Sequence, residues 1–155
     1  MNGYCNRAIK LNPNCKLTLI LMQVNDMEDY MKNEGSGFVQ DLLQSVQDTV
    51  RRHVGHRGIV CPLQPNLMSV VVQDINSDIK LRAFIESLRS RIAWNYRLID
   101  PKYEISFSFG VACYPENGMD MRIVHRKLVK ALQMAQEKHA NCYVIYKEHL
   151  HGELS

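Results

Sequence analysis

The order of apolar and polar positions along the chain predicts alternating strands and helices. Residues 17–22 form a short, continuous apolar run, which is typical of a buried strand. Asn25 and Asp26 follow it as candidate caps of a short helix, which the glycines after Glu34 should end. Over residues 38–54 apolar side chains recur at helical spacing, so we expect a long helix with one apolar face.

A hairpin and a third helix are predicted next. Residues 58–63 and 68–73 are rich in side chains that favour strands, and a Pro-Asn dipeptide between them favours a turn. Apolar residues then recur at helical spacing over residues 81–92. Asn76 and Ser77 are the candidate caps of this helix.

The last third of the chain completes a mixed α/β pattern. Residues 105–111 alternate between apolar and small or polar side chains, which predicts a strand. A fourth helix is expected over residues 124–135 and a closing strand over residues 142–146. The predicted order is βααββαβαβ, and the fold class is α/β (α+β), with a mixed five-stranded sheet flanked by helices.

Composition and charge narrow the classes of function. The chain has 155 residues, of which 46% are hydrophobic, with a formal net charge of +3. Its basic residues are spread rather than concentrated, so we expect no nucleic-acid partner. It has neither an apolar run long enough to span a bilayer nor a signal-peptide pattern, so we expect a cytoplasmic protein without direct membrane insertion. Its five cysteines form no CxxC pair, which favours free thiols over disulfides or a zinc site.

The ends of the chain read as linkers. We expect an N-terminal extension or linker over residues 1–15, one domain over residues 16–147 and a polar tail over residues 148–155. The chain could be one domain of a longer protein.

Three local strings stand in an order that points to one family. They are LMQVNDMEDYMKNEGSGFVQDLL at residues 21–43, FSFGVA at residues 107–112, and ALQMAQ at residues 131–136 followed by Asn141. They resemble the strings LDIDxFKxINDxxGHxxGDxxL, SxGVA and ALYxAK…N of the GGDEF (diguanylate cyclase) family. The resemblance covers residues 16–147 and implies a nucleotide-cyclase-like sheet.

The resemblance also implies where the Mg²⁺-binding carboxylates of a diguanylate cyclase would stand. Two of them fall on Gln23 and Asn25 at the end of the first strand. The signature turn falls on uncharged residues as well: Gln64, Pro65, Asn66, Leu67 and Met68. Residues 1–25 and 49–73 contain no Asp or Glu, so every plausible alignment leaves the site without a carboxylate. Mg²⁺ prefers anionic oxygen ligands, and we therefore expect neither a metal nor a cofactor.

The positions that would recognise the substrate are changed too. The guanine-reading positions of the family fall on Met31 and Gln40, and its phosphate-facing lysine falls on Gln136. The inhibitory RxxD site before the signature turn is missing. One RxxD string does occur at Arg97 to Asp100, but it precedes the wrong strand, and we interpret it as a coincidence or a helix-end ion pair.

The sequence thus predicts an inactive diguanylate cyclase homologue, a signalling module that binds another protein or a neighbouring domain. A homodimer is possible. The alternative is a receptor that binds GTP or cyclic di-GMP without turnover, which we do not favour, and an active enzyme of another kind is a weaker option. Five methionines, Met22, Met27, Met31, Met68 and Met134, would form an apolar binding surface if they cluster at the lost site; ordinary core filling is the other interpretation.

Overall fold

The chain forms a five-stranded sheet with helices on both faces. The structure is a computed structural model, and it describes residues 2–75, 77–99, 105–138 and 142–152. The elements in chain order are α1 (Asn2–Leu11), β1 (Leu17–Val24), α2 (Met27–Glu34), α3 (Ser36–Val54), a 3₁₀ turn (Gly55–Arg57), β2 (Gly58–Gln64), β3 (Leu67–Gln73), α4 (Asp78–Ile99), β4 (Phe107–Tyr114), α5 (Met121–Glu137), β5 (Cys142–Ile145) and α6 (Glu148–His151).

The sheet is mixed, with the strand order β2-β3-β1-β4-β5. Strand β1 lies in the centre and pairs antiparallel with both β3 and β4, whereas β4 and β5 are parallel. A central strand covered on both faces buries the side chains of both, which explains why β1 is mostly apolar and buried along almost its whole length. The predicted mixed sheet flanked by helices is confirmed.

Alternate residues of β1 supply two separate cores. Ile20 and Met22 lie in the core on the side of α3 and α4, which is also lined by the apolar stripes of those helices. Leu19 and Leu21 point to the opposite face and pack with α1 and α5. The two-residue period of a strand is what divides one apolar run between two cores.

The first residues do not form an irregular linker. They form α1, in which Cys5 is fully buried and Tyr4, Ala8 and Ile9 pack against the second core. The amide of Gln73 in β3 donates a hydrogen bond of 2.7 Å to the hydroxyl of Tyr4. Four apolar positions at helical spacing thus pack part of the segment that was predicted as an N-terminal extension or linker against the sheet.

The tail after β5 also contains regular structure. Residues 148–151 form the short helix α6, and the backbone N–H of Lys147 donates to Nδ1 of His151 at 2.9 Å. The ammonium group of Lys147 reaches Asp78 at 3.0 Å and Glu116 at 3.1 Å. These contacts fix the start of the predicted polar tail against the domain.

Helix α5 lies unusually close to β4. A Cβ atom added to Gly110 would stand 2.3 Å from the backbone nitrogen of Leu132 and 2.8 Å from the carbonyl oxygen of Leu128. Glycine at this position therefore lets the helix backbone touch the strand. This approach sets the position of α5 relative to the sheet.

Candidate functional site

One end of the sheet brings together β1, β4 and the β2–β3 turn. The backbone N–H of Val24 donates to the carbonyl oxygen of Asn66 at 2.9 Å, and the Asn66 side-chain amide donates back to the carbonyl oxygen of Val24 at 3.2 Å. The turn is thus fastened to the end of the central strand by a reciprocal pair of hydrogen bonds.

Asn25 binds the start of β4 at the same end. Its backbone N–H donates to the carbonyl oxygen of Ser106 at 2.9 Å. Its side-chain Nδ2 donates to the hydroxyl oxygen of Ser106 at 2.9 Å and to that of Ser108 at 3.0 Å. Both hydrogens of the amide are therefore used inside the protein, and Ser108 is buried.

Gln23 meets the last turns of α5. The side-chain amide of Gln136 donates a hydrogen bond to Oε1 of Gln23 across 113 residues of sequence separation. The resemblance placed these two residues at different functional positions, one at a metal ligand and one at a phosphate contact, and the structure brings them into contact. The pair carries no charge.

The signature turn is shorter than predicted. Strand β2 extends through Gln64 and β3 begins at Leu67, so only Pro65 and Asn66 lie in the turn. Gln64 and Pro65 are exposed, whereas Met68 is fully buried and pairs with Met22 of β1. Proline supplies no backbone N–H here for an anion. We call the group formed by Gln23, Asn25, Asn66 and Gln136 the amide edge.

Helices α2 and α3 carry the other substrate positions. Met31 is 47% exposed on α2, and Gln40 is exposed near the start of α3. Gly35 joins the two helices with a φ of 88°, a left-handed value that favours glycine. Asp26 stands at the predicted cap of α2 but makes no capping hydrogen bond, because its own backbone is left-handed rather than extended.

The methionines do not form a common apolar surface. Met22 and Met68 are fully buried in the first core, with Met27 packed against it, while Met134 packs against the second core on the other face of the sheet. Ordinary core filling is therefore the interpretation that the structure supports for these four.

The RxxD string stays a prediction. Arg97 lies in α4, and Asp100 lies outside the described residues. Within the described ranges, no group of three or more His, Cys, Asp or Glu side chains is arranged to hold a metal ion. None of the helices in those ranges is long and apolar enough to cross a membrane.

A groove lies along α5, mostly on residues that precede Gln136 of the amide edge. It has a volume of about 860 Å³ and runs between α5 and the start of α6, lined among others by Arg122, Arg126, Lys130 and Tyr146. The three basic residues follow one another at intervals of four on α5. This spacing was visible in the sequence. The groove also depends on α6, and the sequence predicted that segment as a polar tail.

The fold and the position of the amide edge at the end of a central strand define a nucleotide-cyclase-like α/β domain. The model of the family described as diguanylate cyclase, GGDEF domain, matches residues 4–142. The chain therefore belongs to the GGDEF domain family.

Solved structures agree with this assignment of the fold. The active GGEEF domain of a diguanylate cyclase from Vibrio cholerae is similar with a TM-score of 0.79 and 16% identity, covering 94% of this chain and 90% of that one. The GGDEF domain of DgcB from Caulobacter crescentus, in complex with c-di-GMP, gives a TM-score of 0.76 at 13% identity, with 92% and 84% covered. A diguanylate cyclase/phosphodiesterase from Caldicellulosiruptor saccharolyticus gives 0.71 at 21% identity, with 84% and 76% covered.

Among curated proteins, an uncharacterized protein of Synechocystis sp. is 17% identical over 142 residues. The match covers 92% of this chain and 20% of that protein, so this chain spans about a fifth of its relative's length.

Proposed function

We propose that this GGDEF domain is a non-catalytic signalling module in a bacterial, cyclic di-GMP-related pathway. It acts in the cytoplasm through contact with another protein, a neighbouring domain or a second copy of itself. The observation that carries the proposal is the hydrogen bond between Gln136 and Gln23. It joins two neutral side chains at the positions that the family resemblance assigns to a metal carboxylate and a phosphate-facing lysine.

The chemistry of the family explains why neutral side chains at these two positions matter. Joining two GTP molecules requires a ribose hydroxyl to attack an α-phosphate, and negative charge develops on the phosphate oxygens in the transition state. Mg²⁺ and cationic side chains stabilise that charge. The amide edge supplies no carboxylate for Mg²⁺, and residues 1–25 and 49–73 contain none. Loss of such contacts costs several kcal/mol in the transition state, on the order of what separates a useful rate from none.

Geometry adds a second obstacle to a metal. Both hydrogens of the Asn25 amide point at serine hydroxyls, so its position in the structure is set by β4. Neutral amide oxygens can bind cations, but they bring no charge to compensate the loss of water from Mg²⁺.

The test is an assay of turnover. The purified full chain is incubated with GTP and either Mg²⁺ or Mn²⁺, and the products are separated by chromatography. An active diguanylate cyclase domain is the positive control, and boiled protein is the background. We expect no cyclic di-GMP above background, and formation above the boiled control would refute the absence of catalysis.

A receptor for nucleotides is the second candidate, and one observation favours it. The similar domain of DgcB was solved in complex with c-di-GMP. If this chain is such a receptor, calorimetric titration with GTP or cyclic di-GMP will show saturable binding without turnover. Loss of cyclic di-GMP binding in Arg97→Ala would place that ligand at the RxxD string.

A further inference from the structure

The groove between α5 and α6 has a composition that the amide edge lacks. Of the residues that line it, four are basic, Arg122, Arg126, Lys127 and Lys130, and one is acidic, Glu148. Val129 and Tyr146 contribute apolar surface. A concave site with an apolar part and a few convergent polar groups is the usual form of a binding site.

Part of this positive charge is not neutralised. Arg122 is paired with Asp120 at 2.8 Å, and Lys127 is paired with Glu148. Lys130 donates at 2.6 Å to the backbone carbonyl of His151, which has no net charge, and in the described part of the chain Arg126 has no hydrogen bond or ion pair. The groove therefore keeps an excess of positive charge along α5.

A polar group in the wall of the groove is also uncommitted. His125 lines the groove, and its Nδ1 atom is buried without a hydrogen-bond partner among the described residues. A buried polar atom without a partner costs free energy, on the order of 1–3 kcal/mol. A ligand group that forms a hydrogen bond with this atom would remove the cost.

The spacing of the basic residues on α5 matches that of side chains in an extended peptide. Arg122, Arg126 and Lys130 lie on one face of α5, with a rise of about 6 Å between neighbours. In an extended peptide, alternate side chains point the same way and stand about 6.6 Å apart. Three acidic side chains at alternate positions would thus face these three cations one by one.

We propose that the α5–α6 groove is a docking site for an extended acidic segment of a partner protein, with acidic residues at alternate positions. The proposal rests on the proposed function, since it names the chemistry of the partner that a non-catalytic module would bind. The neutral amide edge and the charged groove both include residues of α5. The domain would then bind its partner at the groove and not at the family's catalytic position.

The experiment measures binding of a fluorescent peptide to the full chain by anisotropy at low salt. The test peptide has three Glu residues separated by single Ser residues. The matched control peptide has the same composition with the three Glu residues adjacent. We expect saturable binding of the alternating peptide, at least roughly threefold weaker binding of the control, and weakening of both by added salt.

Charge reversal identifies the surface. Arg126→Glu and Lys130→Glu together should weaken binding of the alternating peptide by roughly tenfold or more. Arg126→Glu alone places a carboxylate four residues from both Arg122 and Lys130, an arrangement that favours the helix, so this variant should remain folded. Arg51→Glu reverses one exposed charge on α3, as Arg126→Glu does on α5, so it is the control for that single variant and should alter affinity less than roughly twofold.

Several results would overturn the inference. They are the absence of saturable peptide binding, equal affinity for the charge-reversed variant, or tighter binding of a single-stranded oligonucleotide of the same charge at the same residues. If one of these results is found and the protein still forms no cyclic di-GMP from GTP, only the groove inference is refuted, and the proposed non-catalytic function is not. If the protein does turn over GTP and also binds the peptide, the non-catalytic function is refuted, and the groove remains a peptide-binding site.

Discussion

The amide edge and the α5–α6 groove both include residues of α5, but they differ in how far their polar side chains are hydrogen-bonded within the protein. At the amide edge, Gln136, Gln23 and Asn25 bind one another or the adjacent strand. In the groove, Arg126 has no such contact in the described structure, and the charge of Lys130 faces only a backbone carbonyl. The polar groups of the amide edge are hydrogen-bonded within the protein, whereas the groove keeps positive charge available for a partner.

This difference teaches where to look for activity in a domain of this family. Polar groups that hydrogen-bond to one another must break those bonds before they can receive a new ligand. Charges that stay solvated keep their capacity to bind an anionic partner when one arrives. The end of α5 near the amide edge supports the fold, and its beginning presents charge.

The largest effect should come from the contact that positions α5 for both regions. Gly110→Ala places a Cβ atom against the backbone of α5, where neither side can move away as a flexible side chain would. We expect a loss of about 3 kcal/mol or more in the free energy of unfolding, measured by urea titration. Gly37→Ala is the control, because nothing lies within 4 Å of the added Cβ atom and alanine favours the helix. A loss below about 1 kcal/mol in Gly110→Ala would mean that α5 can shift freely.

The second prediction breaks the amide edge alone. Asn25→Leu leaves the buried Ser108 hydroxyl without its amide partner and should lower the free energy of unfolding by about 1–3 kcal/mol. Asn25→Asp should cost less, because both serine hydroxyls can donate to a carboxylate. Neither variant should change peptide binding at the groove. Equal losses for the two variants in the same urea titration would contradict the structure at this residue.

A third prediction separates stability from binding at the start of α5. The Asp120 side chain caps the helix by accepting from the backbone N–H of Arg122 at 2.8 Å, and the Arg122 guanidinium beside it lowers the pKa of that carboxyl. Asp120→Ala should lower stability because it removes the cap, whereas Asn is as good a cap as Asp and Asp120→Asn should cost little.

Both changes at Asp120 release Arg122 from its ion pair, so both should tighten binding of the acidic peptide by roughly twofold. Urea titration gives the stability, and fluorescence anisotropy gives the affinity. Unchanged or weaker binding in both variants would contradict a contribution of Arg122 to the groove.

The smallest expected effect concerns the Gln23 and Gln136 pair. Both residues are at least partly exposed, so removing either should cost only about 0.5–1 kcal/mol. A double-mutant cycle with Gln23→Ala and Gln136→Ala measures their coupling, which we expect to be a few tenths of a kcal/mol and favourable. A cycle with Gln40→Ala in place of Gln136→Ala is the control and should give no coupling.

Much of the fold could be predicted from periodicity. The apolar run of β1 and the stripe of α3 are strong because each is buried along its length. Helix α1 was missed because its apolar positions, Tyr4, Cys5, Ala8 and Ile9, are scattered among polar residues in a segment that ends at a proline. Its helical spacing was nevertheless present in the sequence.

The sites were harder to predict than the strands. The resemblance located Gln23 and Gln136 separately, but a contact across 113 residues depends on how α5 lies on β4. The basic row on α5 was readable as a helix face, and its meaning changes only when α6 closes one side of the groove. The Gln23–Gln136 contact and the groove both depend on tertiary packing, which the sequence pattern does not give.

One further consequence follows from the edges of the sheet. Strand β2 forms one edge, contains Pro62, and shifts register between Pro62 and Gln64. Proline has no backbone N–H, and a bulge bends the free side of a strand, so a strand from a second molecule would find no regular ladder to extend. Strand β5 at the opposite edge has four residues. Aggregation by strand addition is therefore disfavoured, and the protein should remain dispersed at high concentration unless it associates through its helices.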